Sequence, residues 1–280
     1  MSVDKERVDV LLVQQGLFES REQAKRAVMA GEILGENEER LDKAGQKIPV
    51  TTELHFKGEK LKYVSRGGLK LEKALNTYEL SVKDKIVLDI GSSTGGFTDV
   101  ALQNGAKLVY ALDVGTNQLV WKLRRDARVK VMENTNFRYA KLTDFTFGQP
   151  TFATIDVSFI SLGLILPPLA DIIAKNGHVV ALIKPQFEAG REHVGKNGII
   201  KDPAVHREVL NQTINMMVRE GFAVEQLTFS PIKGGQGNIE FLAVLQRVED
   251  PKIADDIDID VDQLLTSTYQ QLNHTGDANE

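Results

Sequence analysis

Four charged residues, Lys70, Asp156, Lys184 and Glu240, lie far apart in this 280-residue chain, yet the pattern around them predicts that they meet. Asp156 closes the apolar run TFATIDV (151–157) and Lys184 closes HVVALIK (178–184). If both runs are parallel strands, their carboxyl ends share the sheet edge beyond which open α/β sheets bind ligands. Glu240 opens EFLAVLQR (240–247), which starts at that edge if it runs antiparallel. Lys70 stands at the start of the helical stretch GGLKLEKALNTY, whose other end leads to the base of the first strand. A lysine held among carboxylates can take a proton from an alcohol, or orient its lone pair, as the oxygen attacks an electrophilic carbon. Charges at strand ends also form ordinary surface ion pairs of little energetic weight. Convergence of four at one edge favours chemistry.

A second group surrounds LDIGSSTGGFTDVAL, where an apolar strand runs through Asp89 into Gly91, Ser92, Ser93, Gly95 and Gly96 ahead of a helix. Glycine lets a ligand approach the backbone because no Cβ intervenes. The spacing departs from G-x-G-x-x-G, which argues against a pyrophosphate cradle. Asp113 in YALDVGTNQL ends the next strand about twenty residues later, where a carboxylate can accept both hydroxyls of a ribose. Asp89 is expected to bind the amino-acid portion of such a ligand directly or through water. Glu133 and Asn134, at the end of the third strand, are expected to border an adenine. The ligand so described is an adenosine without phosphates. Glycine turns also serve strand-to-helix packing, and strand-end aspartates also cap helices.

These groups need a scaffold, and the chain supplies one from Lys85 onward. Strands are predicted at 85–90, 107–114, 128–133, 151–157, 178–184, 222–229 and 240–247, with helical stretches between most of them. This alternation implies an α/β fold with a mainly parallel sheet covered on both faces. The connection SPIKGGQGNI is too short for a parallel crossover, so the last strand must run antiparallel. A seven-stranded open sheet ending in an antiparallel hairpin is the class I, Rossmann-like methyltransferase architecture, whose adenosine ligand is S-adenosyl-L-methionine. Enzymes of that class that methylate nitrogen often carry Asn-Pro-Pro-Tyr after the fourth strand. Here Asp156-Val157-Ser158-Phe159 favours oxygen as the acceptor.

Composition narrows the partner. Hydrophobic residues make up 42% and charged residues 26%, enough for one large core and a small second domain. There are no cysteines, and the five histidines, 55, 178, 193, 206 and 274, lack metal-ligand spacing, so no metal is expected. No export signal is read at the N-terminus, and the longest apolar stretch (162–173) is broken by Pro167, Pro168 and Asp171. A cytoplasmic protein with no membrane segment is therefore expected. The net charge of −5 disfavours a nucleic-acid partner until the charges are located. Of 34 basic and 39 acidic residues, one and nine fall within 249–280, leaving 33 against 30 in the rest. That acidic tail reads as solvated, with a short strand or a partner contact as the other option.

With the motifs in hand, the chain resembles the hemolysin A (TlyA) family, whose catalytic domain is FtsJ-like. The stretches that carry the resemblance are RVDVLLVQQGLFESREQAKRAVMAGE, YVSRGGLKLEKAL, LDIGSSTGGFTD, IDVSFISL, LIKPQFEAGRE and SPIKGGQGNIEFL. The family's lysine, aspartate, lysine, glutamate tetrad falls on Lys70, Asp156, Lys184 and Glu240. The resemblance implies ribose 2′-O-methylation of ribosomal RNA, at cytidine, on free RNA or ribosomal subunits. It also implies that residues 1–58 form a small α+β RNA-binding domain of the αL type, with 59–66 a linker, 67–248 the methyltransferase domain and 249–280 the tail. Arg7, Arg21, Lys25, Arg26 and Arg66 are the expected RNA contacts, Arg21 and Lys25 lying four apart on one helix face. After Gly31 the acidic ILGENEERLDKAGQ replaces the turn usual in that motif. Two other function classes predict different features. A noncatalytic RNA-binding protein has no use for Lys184 or Asp113, and a pore-forming hemolysin needs membrane-active segments that the sequence lacks. The irregular segment 185–203 is a candidate substrate gate.

Overall fold

The computed structural model describes residues 4–18, 20–36, 38–57, 62–190, 193–195, 198–249 and 259–274. Contacts divide the chain into two compact units, 1–62 and 63–280. The break falls within four residues of the expected end of the N-terminal module. Of the expected 59–66 linker, residues 59–61 lie outside the described residues, as do parts of the expected gate and tail.

In the smaller unit, β1 (Lys5–Arg7) runs into α1 (Val8–Gln14), followed by α2 (Arg21–Met29), β2 (Ile33–Leu34), β3 (Lys47–Pro49) and β4 (His55–Phe56). Ser20 caps α2 as its position suggests, its Oγ accepting from the Gln23 backbone N–H at 3.3 Å. Val8, Leu11 and Leu12 of α1 meet Ala24, Ala27 and Val28 of α2, so each short helix buries one apolar stripe in a common core with Ile33, Ile48 and Leu54.

The larger unit opens with α3 (Gly68–Thr77) and then alternates: β5 (Ile86–Ile90), α4 (Gly96–Gln103), β6 (Leu108–Leu112), α5 (Trp121–Arg124), β7 (Val129–Met132) and β8 (Phe152–Ile155). It continues through α6 (Leu166–Ile172), β9 (His178–Ile183), α7 (Pro185–Glu188), α8 (Pro203–Arg219), β10 (Phe222–Phe229), β11 (Phe241–Arg247) and α9 (Val261–His274). One sheet contains seven of these strands in the order β10-β11-β9-β8-β5-β6-β7. β5 to β9 pair in parallel, and β11 is antiparallel to both β9 and β10, as the short 230–239 connection requires. The central strands read as continuous apolar runs because both faces are covered, each by its own core cluster.

The tail departs from its expected solvated character. Val261–His274 forms α9, which packs against α8 and β10; Val261 and Leu265 enter the main core and Thr268 is fully buried. Tyr269 Oη meets Nδ1 of the buried His206 at 2.5 Å. The acids in 249–262 concealed an amphipathic repeat, Val261, Leu264, Leu265, Thr268 and Tyr269, whose spacing is helical. Residues 250–258 and 275–280 of the tail lie outside the described residues.

The sheet edge is braced by Asp89. This β5 residue is 1% exposed and accepts hydrogen bonds from Thr98 Oγ1 of α4 (2.7 Å) and Thr154 Oγ1 of β8 (2.9 Å). Burial pushes its carboxyl up to about 6, with the nearby Asp156 charge acting in the same direction against the threonine hydrogen bonds. A carboxyl whose folded pKa lies above its unfolded value near 3.9 binds its proton more tightly in the fold. Its contribution to stability is therefore fully present below about pH 4 and declines as pH rises to about 6. Asp89→Asn should accordingly gain stability relative to the parent chain as pH increases from 4 to 7. Urea titrations across that range measure this, and a pH-independent difference between the two proteins would contradict it.

Candidate active site

Three strand ends and one helix start build the charged centre. Asp156 follows β8, Lys184 follows β9, Glu240 precedes β11, and Lys70 lies in the first turn of α3. Lys184 Nζ pairs with Asp156 Oδ1 at 2.6 Å, and the second oxygen of the same carboxylate lies 3.5 Å from Lys70 Nζ. Lys70 Nζ in turn donates to Glu240 Oε2 at 2.7 Å. The order Glu240, Lys70, Asp156, Lys184 thus alternates in charge. The first two side chains are almost fully buried, whereas Asp156 remains 21% exposed. Gly234 fits here because a Cβ at that position would collide with the Glu240 carboxylate.

Sequence reasoning missed three residues that complete this centre. Ser158 Oγ accepts a hydrogen bond from Lys184 Nζ at 3.0 Å, giving the lysine a neutral partner besides Asp156. Glu188 of α7 accepts from Ser161 Oγ (2.7 Å) and from the Leu162 backbone N–H (2.8 Å), tying the loop after β9 to the loop after β8. Burial pushes the Glu188 carboxyl upward. Phe159 is 90% exposed at φ +64° and leans on Phe187, with ring centroids 5.0 Å apart. All three sit in the motifs IDVSFISL and KPQFE, but their partners come from the opposite loop, which spacing along one segment cannot reveal.

At the other end of the same edge, Asp113 follows β6. Its Oδ2 accepts from the Ser93 N–H and its Oδ1 from the Gly115 N–H, both at 2.8 Å. The carboxylate is thereby fixed beside the exposed crest Ser93-Thr94, while Ser92 is buried. Glu133 pairs with Arg124, which holds it below the usual carboxylate range, and Asn134 is exposed at φ +52°.

The glycine turn and Asp89 have structural partners of their own. The glycines answer to the protein's own packing: a Cβ at Gly91 would lie 2.5 Å from the Asp156 carbonyl oxygen, and one at Gly95 2.3 Å from Leu123 Cδ1. At Gly96 it would lie 2.4 Å from Ser65 Oγ. Close approach of strand, loop and helix accounts for these positions without invoking a ligand. Asp89 likewise faces inward, its oxygens accepting from Thr98 and Thr154.

The expected RNA contacts fall into two groups. Arg7 and Arg21 converge on the buried Asp9, at 2.8 and 3.0 Å, and hold its carboxyl down at about 2. Lys25, Arg26 and Arg66 are exposed. Among the described residues no cluster of His, Asp or Glu is arranged to hold a metal ion, and no helix is long and apolar enough to cross a membrane.

Comparison with known proteins agrees with this geometry. The FtsJ-like methyltransferase model matches residues 63–247, nearly the whole of the larger unit up to the end of β11. YqxC of Bacillus subtilis is 64% identical over 86% of this chain and 86% of its own length. The 16S/23S rRNA (cytidine-2′-O)-methyltransferase TlyA of Mycobacterium tuberculosis is 36% identical over 87% of this chain and 91% of its own. The solved structure of a hemolysin-named protein from Streptococcus thermophilus is 59% identical, covers 99% of this chain and 100% of its own, and superposes with a TM-score of 0.78. A seven-stranded sheet with its final strand reversed, an acid fixed at the end of β6 and a family match across residues 63–247 lead to one assignment: the chain is an enzyme of the FtsJ-like methyltransferase family, of the TlyA/hemolysin A type.

Proposed function

We propose that the protein transfers a methyl group from S-adenosyl-L-methionine to a ribose 2′-hydroxyl of ribosomal RNA. The observation that carries this reading is the Lys184 ammonium or amine held between Asp156 and Ser158 at the carboxyl edge of the sheet. The likeness to TlyA, a cytidine-2′-O-methyltransferase of ribosomal RNA, supports the same acceptor and nucleotide. It also makes the cytoplasm, where that RNA is found, the natural compartment.

The edge fits the donor. Asp113 has both oxygens anchored by backbone N–H groups and retains lone pairs for two ribose hydroxyls, while Ser93 and Gly115 flank it. Glu133 and Asn134 stand where an adenine would border, and the 91–96 turn would face the amino-acid portion with Asp89 supporting it from below. When bound, S-adenosyl-L-methionine supplies a methyl carbon made electrophilic by a positively charged sulfur. A ribose hydroxyl is a weak nucleophile until its proton is withdrawn. Lys184 accepts that proton, or orients the oxygen lone pair, and the resulting ammonium rests against Asp156. Glu240 holds Lys70, and Lys70 fixes Asp156 in turn, so these two residues position rather than react. The N-terminal unit supplies phosphate contacts through Lys25 and Arg26, with Arg7 and Arg21 held in place by Asp9.

If Asp113 binds the donor ribose, Asp113→Ala should weaken S-adenosyl-L-methionine binding by about 1.5–3 kcal/mol, the scale of charge-assisted hydrogen bonds, in a folded protein. Calorimetry gives this value directly, and unchanged affinity would remove Asp113 from the site. Lys184→Ala should keep donor and RNA binding but slow single-turnover methylation at least about 100-fold, the lower range for loss of a general base. Lys184→Arg should not recover the rate, because guanidinium cannot accept a proton at neutral pH. A Lys184→Ala protein that methylates at near-parental rate would refute the proposed chemistry.

A further inference from the structure

Beyond Glu133 and Asn134, the segment 136–148 between β7 and β8 takes no part in the tetrad or the proposed donor site, and its surface is unusual. Phe137 and Phe145 anchor it in the core, and Phe145 packs edge-on against Tyr110 with centroids 5.1 Å apart. The Tyr110 hydroxyl accepts from the Phe147 N–H (2.8 Å) and donates to the Gly148 carbonyl (3.0 Å). Asn136 and Asp144 spend their side-chain oxygens on the backbone N–H groups of Arg138 and Lys141. A segment held this firmly nevertheless keeps Tyr139 71%, Phe147 57% and Leu142 43% exposed. Each aromatic ring carries a cation: Arg138 lies 5.6 Å from the Tyr139 centroid and Lys130 Nζ 4.4 Å from that of Phe147. Among the described residues Lys130, Arg138 and Lys141 form no ion pair.

Aromatic faces alternating with unpaired cations on a rigid support match single-stranded nucleic acid, whose bases stack while its phosphates seek positive charge. A purely apolar protein partner would leave three ammonium and guanidinium groups without counter-charge. The strip runs from the carboxyl end of β7 along that edge strand toward its amino end, where Lys130 of β7 meets Phe147, so its upper part nears the ligand-binding edge of the sheet. We propose that Lys130, Arg138, Tyr139, Lys141, Leu142 and Phe147 form an RNA-binding surface on the methyltransferase unit itself, which holds unpaired nucleotides flanking the target. This rests on the reading of the chain as an RNA methyltransferase.

The test measures binding of the full chain to a 20-nucleotide oligouridylate and to a 20-base-pair RNA duplex over a series of KCl concentrations. Tyr139→Ala/Phe147→Ala should weaken oligouridylate binding about tenfold or more and change duplex binding less than twofold, because only unpaired bases offer faces for stacking. Lys130→Ala/Arg138→Ala/Lys141→Ala should flatten the slope of log affinity against log salt by about 2, at roughly 0.7 per single-strand phosphate contact. Unchanged S-adenosyl-L-methionine binding verifies the fold of both variants. Parental affinity and slope in both would overturn the surface, as would equal losses on single strand and duplex. Methylation of ribosomal RNA by the parent chain separates the two ideas. If it proceeds while the variants bind normally, the surface fails alone; if it is absent while they lose oligouridylate, the enzymatic reading fails alone.

Discussion

Asp156 is the carboxylate on which the charged centre depends, because both lysines of the site lean on its two oxygens. Taking an ammonium out of water costs several kcal/mol, and the cost is offset only when a counter-charge meets it with good geometry. Lys70 satisfies this with two acids and Lys184 with Asp156 and Ser158. Loss of Asp156 leaves Lys184, and loss of Lys70 leaves Glu240, without its counter-charge in a nearly buried setting. The site therefore exists as a unit, and its order of charges prevents the two lysines from approaching without an acid between them.

The sheet explains why this unit can form from residues up to 170 positions apart. Parallel β8 and β9 end side by side, and the reversed β11 begins where β9 ends, Phe241 pairing with Ile183. Reversal of that one strand brings Glu240 to the same sheet edge; a parallel strand would deliver its last residue instead. Tight approach at Gly91 and the Asp89 hydrogen bonds then lock the turn after β5 to the end of β8, so the glycine turn and the charged centre are joined through the same few backbone atoms.

Much of this was legible in the sequence because it follows from periodicity and topology. Apolar runs located all seven strands to within two residues, the short 230–239 connection fixed the reversed strand, and the tetrad followed from strand ends together with the family resemblance. What stayed hidden depends on contacts across loops. Nothing local distinguishes Ser158 from an ordinary loop serine until Lys184 is seen to donate to it, and Glu188 gains meaning only from Ser161 and Leu162. The glycines of 91–96 carried two readings with one signature, because open space for a ligand and collision with a neighbouring carbonyl both exclude a Cβ. In the tail, dense acids masked the apolar spacing of α9, since charge counted over a window hides which face the charges occupy.

The central claim is that this edge activates a ribose oxygen rather than a base nitrogen. A 2′-O-methyl group removes the hydroxyl that alkali needs to cleave the adjoining phosphodiester, so the modified position survives hydrolysis as a dinucleotide. Ribosomal RNA incubated with the protein and methyl-labelled S-adenosyl-L-methionine should yield its label in alkali-stable dinucleotides, and the label should vanish with Asp156→Asn. Label recovered in mononucleotides, as base methylation would give, would contradict the account.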